Sequence, residues 1–263
     1  MPILYYCSIM NIIIIGTGNV AQVLGKMLLQ ANHKILQVFG RNQGSLPACA
    51  SALHAEPVSD LTLLNKDAEL CIIATSDSAI PFIASQIELP NTIIVHTSGG
   101  VTVDALNKHH QHGVLYPLQS LRKELPYLPL IPILINGNNE EVRDAIFNLA
   151  KTISNEVHVA SDEERLKLHI AAVFCSNFTN HLYALADHFC SSEQLPFNYL
   201  LPLITETVHR MQFDTPAHLQ TGPAIRKDEE TIQRHLQVLQ SYPLLENVYK
   251  LLTKSIQNRE IES

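Results

Sequence analysis

The first 55 residues of this 263-residue chain contain no aspartate or glutamate, although the whole chain carries 25 acids. Lys26, Lys34 and Arg41 therefore stand unopposed in a protein whose net charge is −7. Tryptophan is absent, and charged residues make up only 16% of the chain against 46% hydrophobic. That balance excludes a disordered or fibrous protein and suits a well-buried enzyme. No Lys/Arg-rich run occurs, and the negative total disfavours nucleic acid, whose binding depends on neutralising phosphates. No apolar run reaches the ~20 residues that span a bilayer, so no membrane partner is expected. The five cysteines (Cys7, Cys49, Cys71, Cys175 and Cys190) are odd in number and form no C-x-x-C pair. They read as free thiols in a reducing, cytoplasmic compartment. The apolar opening Met1–Ile9 lacks a basic region and a small-residue cleavage site. It reads as an extension ahead of Met10, or as a misassigned start.

What is present begins at Asn11-Ile12-Ile13-Ile14-Ile15, an unbroken apolar run of the kind that forms a central parallel strand. It runs into Gly16-Thr17-Gly18-Asn19-Val20-Ala21, a G-x-G-x-x-A turn opening a helix. Gly16 serves the tight turn, Gly18 admits a pyrophosphate against backbone, and Ala21 lets helix and strand pack closely. The helix N-terminus offers free N–H groups and a positive dipole end to phosphates. About 20 residues further on, a dinucleotide with a free ribose 2′-hydroxyl is normally gripped by an acid. Here the second strand, Ile35 to Phe39, ends in Gly40-Arg41-Asn42. An acid would repel a 2′-phosphate, whereas a guanidinium holds one through parallel charge-assisted bonds. The expected cofactor is NADP(H), with Arg41 and Asn42 at its 2′-phosphate.

Strands and helices then alternate to about residue 160, with further strands at 70–74, 92–96, 114–116, 131–135 and 157–159. Asp77 is expected to cap a helix over 78–86, and 140–153 reads as an amphipathic helix. The fold class is α/β, a doubly wound and mainly parallel Rossmann sheet over residues 1–160. From Ser161, which caps a first turn of acids, an all-α domain runs to 263. Its first helix, Arg165 to about Cys190, is apolar nearly all round at its start, so it belongs at the centre of the helical domain or in a homodimer interface. Breaks are expected at Pro196, Pro202, Pro216, Pro223 and Pro243.

Ligands of open parallel sheets sit at the carboxyl ends of the strands. Ala74-Thr75-Ser76 ends one strand with small side chains that let a cofactor pass. His96-Thr97-Ser98-Gly99 ends the next, combining an imidazole and two hydroxyls beside the expected nicotinamide. Tyr116 and Gln119 follow a third strand. On the long helix, His169, Ser176 and Asn180 share one stripe, and Asn177 lies beside it. Such a stripe either finds partners in the core or lines a cavity. Thr221-Gly222 opens a turn followed by Arg226 and Asp228, where Arg226 either meets an anionic group or pairs with Asp228. His109-His110-Gln111-His112 lacks metal-ligand spacing, and no metal is expected.

Gly16–Ala21, His96-Thr97-Ser98-Gly99, Tyr116-Pro117-Leu118-Gln119, Lys167-x-His169-x-Ala171-Ala172 with Asn177, and Thr221-Gly222-Pro223 with Arg226 and Asp228 occur together in one order. In this the chain resembles a group of bacterial Rossmann-like proteins with a helical C-terminal domain of unknown function, often labelled NADP oxidoreductases. The group is similar to deazaflavin-dependent NADP oxidoreductases and pyrroline-5-carboxylate reductase, within the 6-phosphogluconate dehydrogenase-like superfamily. The resemblance implies hydride transfer to or from a small C=O or C=N substrate bound between the two domains. His96, Ser98, His169 and Asn177 are then the catalytic candidates, and Thr97, Gly99, Tyr116, Gln119, Thr221, Gly222 and Arg226 the substrate contacts. The chain departs from the group where Tyr116 replaces a frequent His. It departs from the superfamily's β-hydroxyacid dehydrogenases where Ala171, four residues past Lys167, stands in place of a catalytic Asn. That second departure keeps open an alternative, a non-catalytic NADP-binding sensor or scaffold.

Overall fold

The structure is a computed structural model that describes residues 9–258. The expectations for residues 1–8, Cys7 included, lie outside the described residues. Eight strands form one sheet: β1 (Asn11–Ile15), β2 (Lys34–Phe39), β3 (Glu56–Val58), β4 (Leu70–Ile73), β5 (Ile93–His96), β6 (His112–Pro117), β7 (Ile133–Gly137) and β8 (Val157–Val159). Their order is β3-β2-β1-β4-β5-β6-β7-β8. Every neighbouring pair is parallel except β6 and β7, which run antiparallel. The chain thus winds outward one way from β1 and the other way from β4, placing the topological switch point between them.

Ile12, Ile13, Ile14 and Ile15 are each 0% exposed. Alternate side chains enter opposite layers, as strand geometry demands. Ile12 and Ile14 pack with residues of α1 (Asn19–Gln30), α2 (Leu46–Ala52) and α4 (Glu140–Ile153). Ile13 and Ile15 pack with Ile80 and Ile83 of α3 (Ile80–Gln86). This two-sided burial is why β1 reads as a continuous apolar run.

Local details differ from expectation for physical reasons. The edge strand β3 is three residues long and contains Pro57, so it carries almost no periodic signal. β7 starts at Ile133, not 131, because Pro132 has no N–H to add to the ladder. Asp77 does not cap a helix. It opens a short 3-10 turn, Asp77–Ala79, whose N-cap position is Ser76, and no side chain caps that turn.

Ser161 begins α5 (Asp162–Ala172) with a complete capping box, exchanging bonds with Glu164. A π-helical segment, Val173–Phe178, follows, and then α6 (Thr179–Ser192). The chain divides into two compact units within this helical run, 1–177 and 178–263. The break lies past residue 160 because α5 is anchored to the first unit through Arg165, its one buried residue. The second unit holds α6, α7 (Leu201–Arg210), α8 (Pro223–Arg226), α9 (Glu229–Leu239) and α10 (Pro243–Gln257). Prolines sit in the first turns of α7, α8 and α10, where their missing N–H costs nothing.

Several large apolar side chains along the first half of the long helix are exposed. Leu166, Leu168, Ile170, Phe174 and Phe178 are 42–63% exposed. Cys49, Cys71 and Cys190 are buried free thiols and Cys175 is an exposed one. No helix among the described residues is long and apolar enough to cross a membrane.

Candidate functional site

Two concave regions sit at the carboxyl ends of the strands in the first unit. The first is a groove of about 470 Å³ lined by Gly16, Thr17, Gly18, Asn19, Val20, Phe39, Gly40, Arg41, Asn42, Ala74, Thr75, Ser76 and Ile83. It follows the ends of β2, β1 and β4, across the switch point. Gly16 adopts φ +123°, and a Cβ there would lie 2.2 Å from the Ala74 carbonyl oxygen. Only glycine fits. A Cβ on Gly18 would meet nothing within 4 Å, so the face above the turn is open. The first helical bond is Gln22 N–H to the Gly18 carbonyl at 3.1 Å, which leaves Asn19, Val20 and Ala21 N–H groups without helix partners. Ala21 is 1% exposed and lets α1 seat against the sheet. An open, donor-rich helix start of this kind fits the pyrophosphate of a dinucleotide.

Beyond β2, Arg41 is exposed and has no ion pair with any described residue. Asn42 turns its Oδ1 inward, accepting from Gly44 N–H at 2.8 Å and Ser45 N–H at 3.3 Å. Its side chain shapes the loop, while Arg41 remains available to an anion. The Thr17 and Ser45 hydroxyls, 2.8 Å apart, tie this loop to the glycine turn.

The second region, about 570 Å³, lies at the end of β6 against α5 and the π segment. It is lined by Tyr116, Leu118, Gln119, Ser120, Leu168, His169, Ala171, Ala172, Val173, Cys175, Ser176 and Asn177. Tyr116 Oη and His169 Nδ1 are hydrogen-bonded at 2.8 Å, with their rings edge to face. Burial, and secondarily Asp77, raises the Tyr116 pKa, so the phenol keeps its proton. A Cβ on Gly99 would lie 2.7 Å from His169 Cγ. Gly99 is therefore the notch into which the His169 ring fits. Ser120 and Ser176 hydroxyls pair at 2.6 Å, and Gln119 accepts from Ser120 N–H while donating to the Leu130 carbonyl.

Between the two regions, the loop after β5 is buried. His96 is 0%, Thr97 8% and Ser98 5% exposed. Ser98 N–H donates to His96 Nδ1 at 3.2 Å, and Gly100 and Val101 N–H donate to Ser98 Oγ at 3.1 Å each. Thr97 Oγ donates to the Ile73 carbonyl at 3.4 Å. His96 Nδ1 and Ser98 Oγ are taken up by the turn itself, while His96 Nε2 is buried with no hydrogen-bond partner among the described residues. Burial, reinforced by the nearby Arg165 cation, lowers the His96 pKa to about 4. His96 is an uncharged ring that accepts at Nδ1.

Sequence reasoning missed Arg165. Its side chain is 1% exposed, and Nη2 bonds Asp162 Oδ1 at 2.7 Å and the Val101 carbonyl. Both Asp162 oxygens accept from Val103 N–H, at 3.2 and 3.0 Å. One signal was available. A cation in the opening turns of a helix opposes the dipole and needs a local partner.

In the second unit, Thr221 is exposed, and Gly222 adopts φ +110° with open space where a Cβ would stand. Arg226 is exposed at the end of α8. Asp228 caps α9 through Thr231, and these bonds, with a smaller contribution from Arg226, hold its carboxyl below the usual carboxylate range. His109 and His112 are also spent on backbone, bonding the Ala84 and His109 carbonyls.

Residues 11–100 match the model of the NADP oxidoreductase, coenzyme F420-dependent family, and residues 131–256 match a domain of unknown function, DUF2520. A putative NADP oxidoreductase from Bacteroides fragilis is 36% identical over 95% of this chain and 99% of its own, with a TM-score of 0.89. 1-Pyrroline-5-carboxylate reductase from Streptococcus pyogenes shares the fold at 15% identity, covering 95% and 98% of the two chains with a TM-score of 0.62. So does an imine reductase from Myxococcus stipitatus in complex with NADP+, at 12% identity, 94% and 93% coverage and a TM-score of 0.64. No curated protein matches the chain.

The buried His96 makes a pH prediction. Between histidine's usual 6.5 and about 4, the unfolded chain binds a proton that the native ring excludes. Its contribution to stability is therefore complete above the unfolded value and is lost as pH falls through that window. His96→Gln should flatten the acid limb of the stability profile by up to about 3 kcal/mol. Urea denaturation at about pH 4.5 and about pH 7 measures it, and an unchanged slope refutes it.

Proposed function

The chain belongs to the NADP oxidoreductases that join an F420-dependent-type nucleotide domain to a DUF2520 domain, and we propose that it transfers a hydride between NADP(H) and a small C=O or C=N substrate. The observation that carries this reading is the Tyr116–His169 pair, set into the Gly99 notch one strand beyond the nucleotide groove. The nicotinamide, when bound, supplies the hydride chemistry. The glycine turn and the α1 N-terminus hold the phosphates, and Arg41 selects the 2′-phosphate. With the Tyr116 phenol as donor, His169 accepts at Nδ1 and carries its own proton on Nε2. That N–H donates a hydrogen bond to the oxygen or nitrogen of the substrate as the hydride arrives, solvent supplies the proton that completes the reduction, and Tyr116 keeps the ring in the donating tautomer. His96 and Ser98 shape the loop between cofactor and substrate, and Asn177 adds a neutral hydrogen-bonding group at the rim.

A panel of small oxo-acids, ketones and cyclic imines, followed through nicotinamide absorbance with NADPH, tests the reaction. His169→Ala should lower turnover by ~10²–10⁴-fold with NADPH affinity nearly unchanged. The burial of His96 and Ser98 favours the second reading, an NADP-binding sensor. NADPH binding without oxidation by any panel member would establish that reading instead.

Arg41 predicts cofactor choice. NADPH should bind more tightly than NADH, and Arg41→Ala should remove most of the difference, about 1.5–3 kcal/mol. Equal wild-type affinities in calorimetric titrations would overturn the assignment.

The reading also includes a homodimer through the helical region. Leu166, Ile170 and Phe174, with Leu203, Phe213 and Leu251 of the second unit, are 43–75% exposed, more large apolar surface than a soluble monomer usually leaves open. A second copy of the same faces is the simplest cover. The four unpaired cysteines among the described residues support a reducing, cytoplasmic setting. Light scattering after size exclusion should give twice the 29.3 kDa chain mass. A strict monomer at micromolar concentration refutes the dimer.

A further inference from the structure

We infer that the pocket at the end of β6 takes a substrate without an anionic group: a neutral carbonyl or imine, or a protonated imine. The inference deepens the reductase reading and rests on it for the reaction, though not for binding. Of the described residues lining this pocket, none is Asp, Glu, Lys or Arg. Its polar surface consists of a phenol, an imidazole, two carboxamides and two hydroxyls, set against the apolar Leu118, Leu168 and Val173. Such a lining hydrogen-bonds a neutral ligand well. A carboxylate there would lose its water and gain no countercharge.

The cation that acts on Tyr116 does not repair this. Arg165 is 1% exposed, its Nη2 is bound to Asp162 and the Val101 carbonyl, and its other nitrogens are buried outside the pocket lining. Arg122, further along the same loop, pairs with Glu124 at 3.6 Å with both side chains in solvent. The charged group felt most strongly by Tyr116 is Asp77, which raises its pKa against the weaker opposing pull of Arg165. At this phenol, then, no net cationic charge is on hand to receive an anion. An acid substrate would have to be accepted against desolvation without a countercharge.

Binding can be read without turnover, so this test is separable from the reductase assay. With the full-length protein saturated in NADP+, saturation-transfer NMR compares 2-pyrrolidinone with pyroglutamate, the same five-membered lactam with a carboxylate added. The expected result is a lactam affinity at least about tenfold above that of the acid, a difference of roughly 1.4 kcal/mol. Ala172→Arg, which places a cation in the lining, should reverse the order while NADP+ binding is retained. Three results overturn the proposal: pyroglutamate binding the wild type as well as pyrrolidinone, neither probe binding, or Ala172→Arg leaving the order unchanged.

Discussion

The arrangement of the first unit depends on one buried guanidinium. Arg165 is the single inward residue of α5, and it reaches the Val101 carbonyl while Asp162, one turn earlier, takes Val103 N–H with both oxygens. The guanidinium would not tolerate this depth alone, since an unpaired buried ion costs several kcal/mol. Together they fasten the start of the helix to the loop leaving β5. One turn beyond Arg165 on the same face stands His169, and the fastening delivers its ring to Gly99 and Tyr116.

The loop after β5 is correspondingly rigid. Ser98 gathers two backbone N–H groups, His96 accepts a third, and Thr97 reaches back to β4. A cation next to His96 adds to burial in keeping that ring uncharged. The result is a preformed wall between the nucleotide groove and the β6 pocket, with a glycine notch at its edge. Where α5 gives way to the π segment, the extra residue per turn resets the face presented to the pocket. Ser176 thereby meets Ser120, and the pocket lining continues as far as Asn177.

Much of this was legible beforehand. The four isoleucines, the G-x-G-x-x-A turn and the capping Ser161 are local rules with one structural solution each, and all three occur as read. Strand–helix alternation implied the doubly wound sheet, and prolines marked the helix starts of the second unit. Polar residues were read at the strand ends, where β5 and β6 carry His96 and Tyr116, but their division of labour was left open. His96 and Ser98 look like catalysts in a one-dimensional string, because nothing in the string says whether backbone or ligand will take their hydrogen bonds.

The sequence by itself determined the dinucleotide-type βαβ start, the layer order and the helical second half, because periodicity, turn chemistry and caps act over a few residues. Only the tertiary structure decided which polar groups are spent and which are free. It buried Arg165, turned Asn42 into its own loop, and brought Tyr116 to His169 across 53 positions of sequence. Those outcomes follow from desolvation, which charges each group according to the neighbours that surround it in three dimensions.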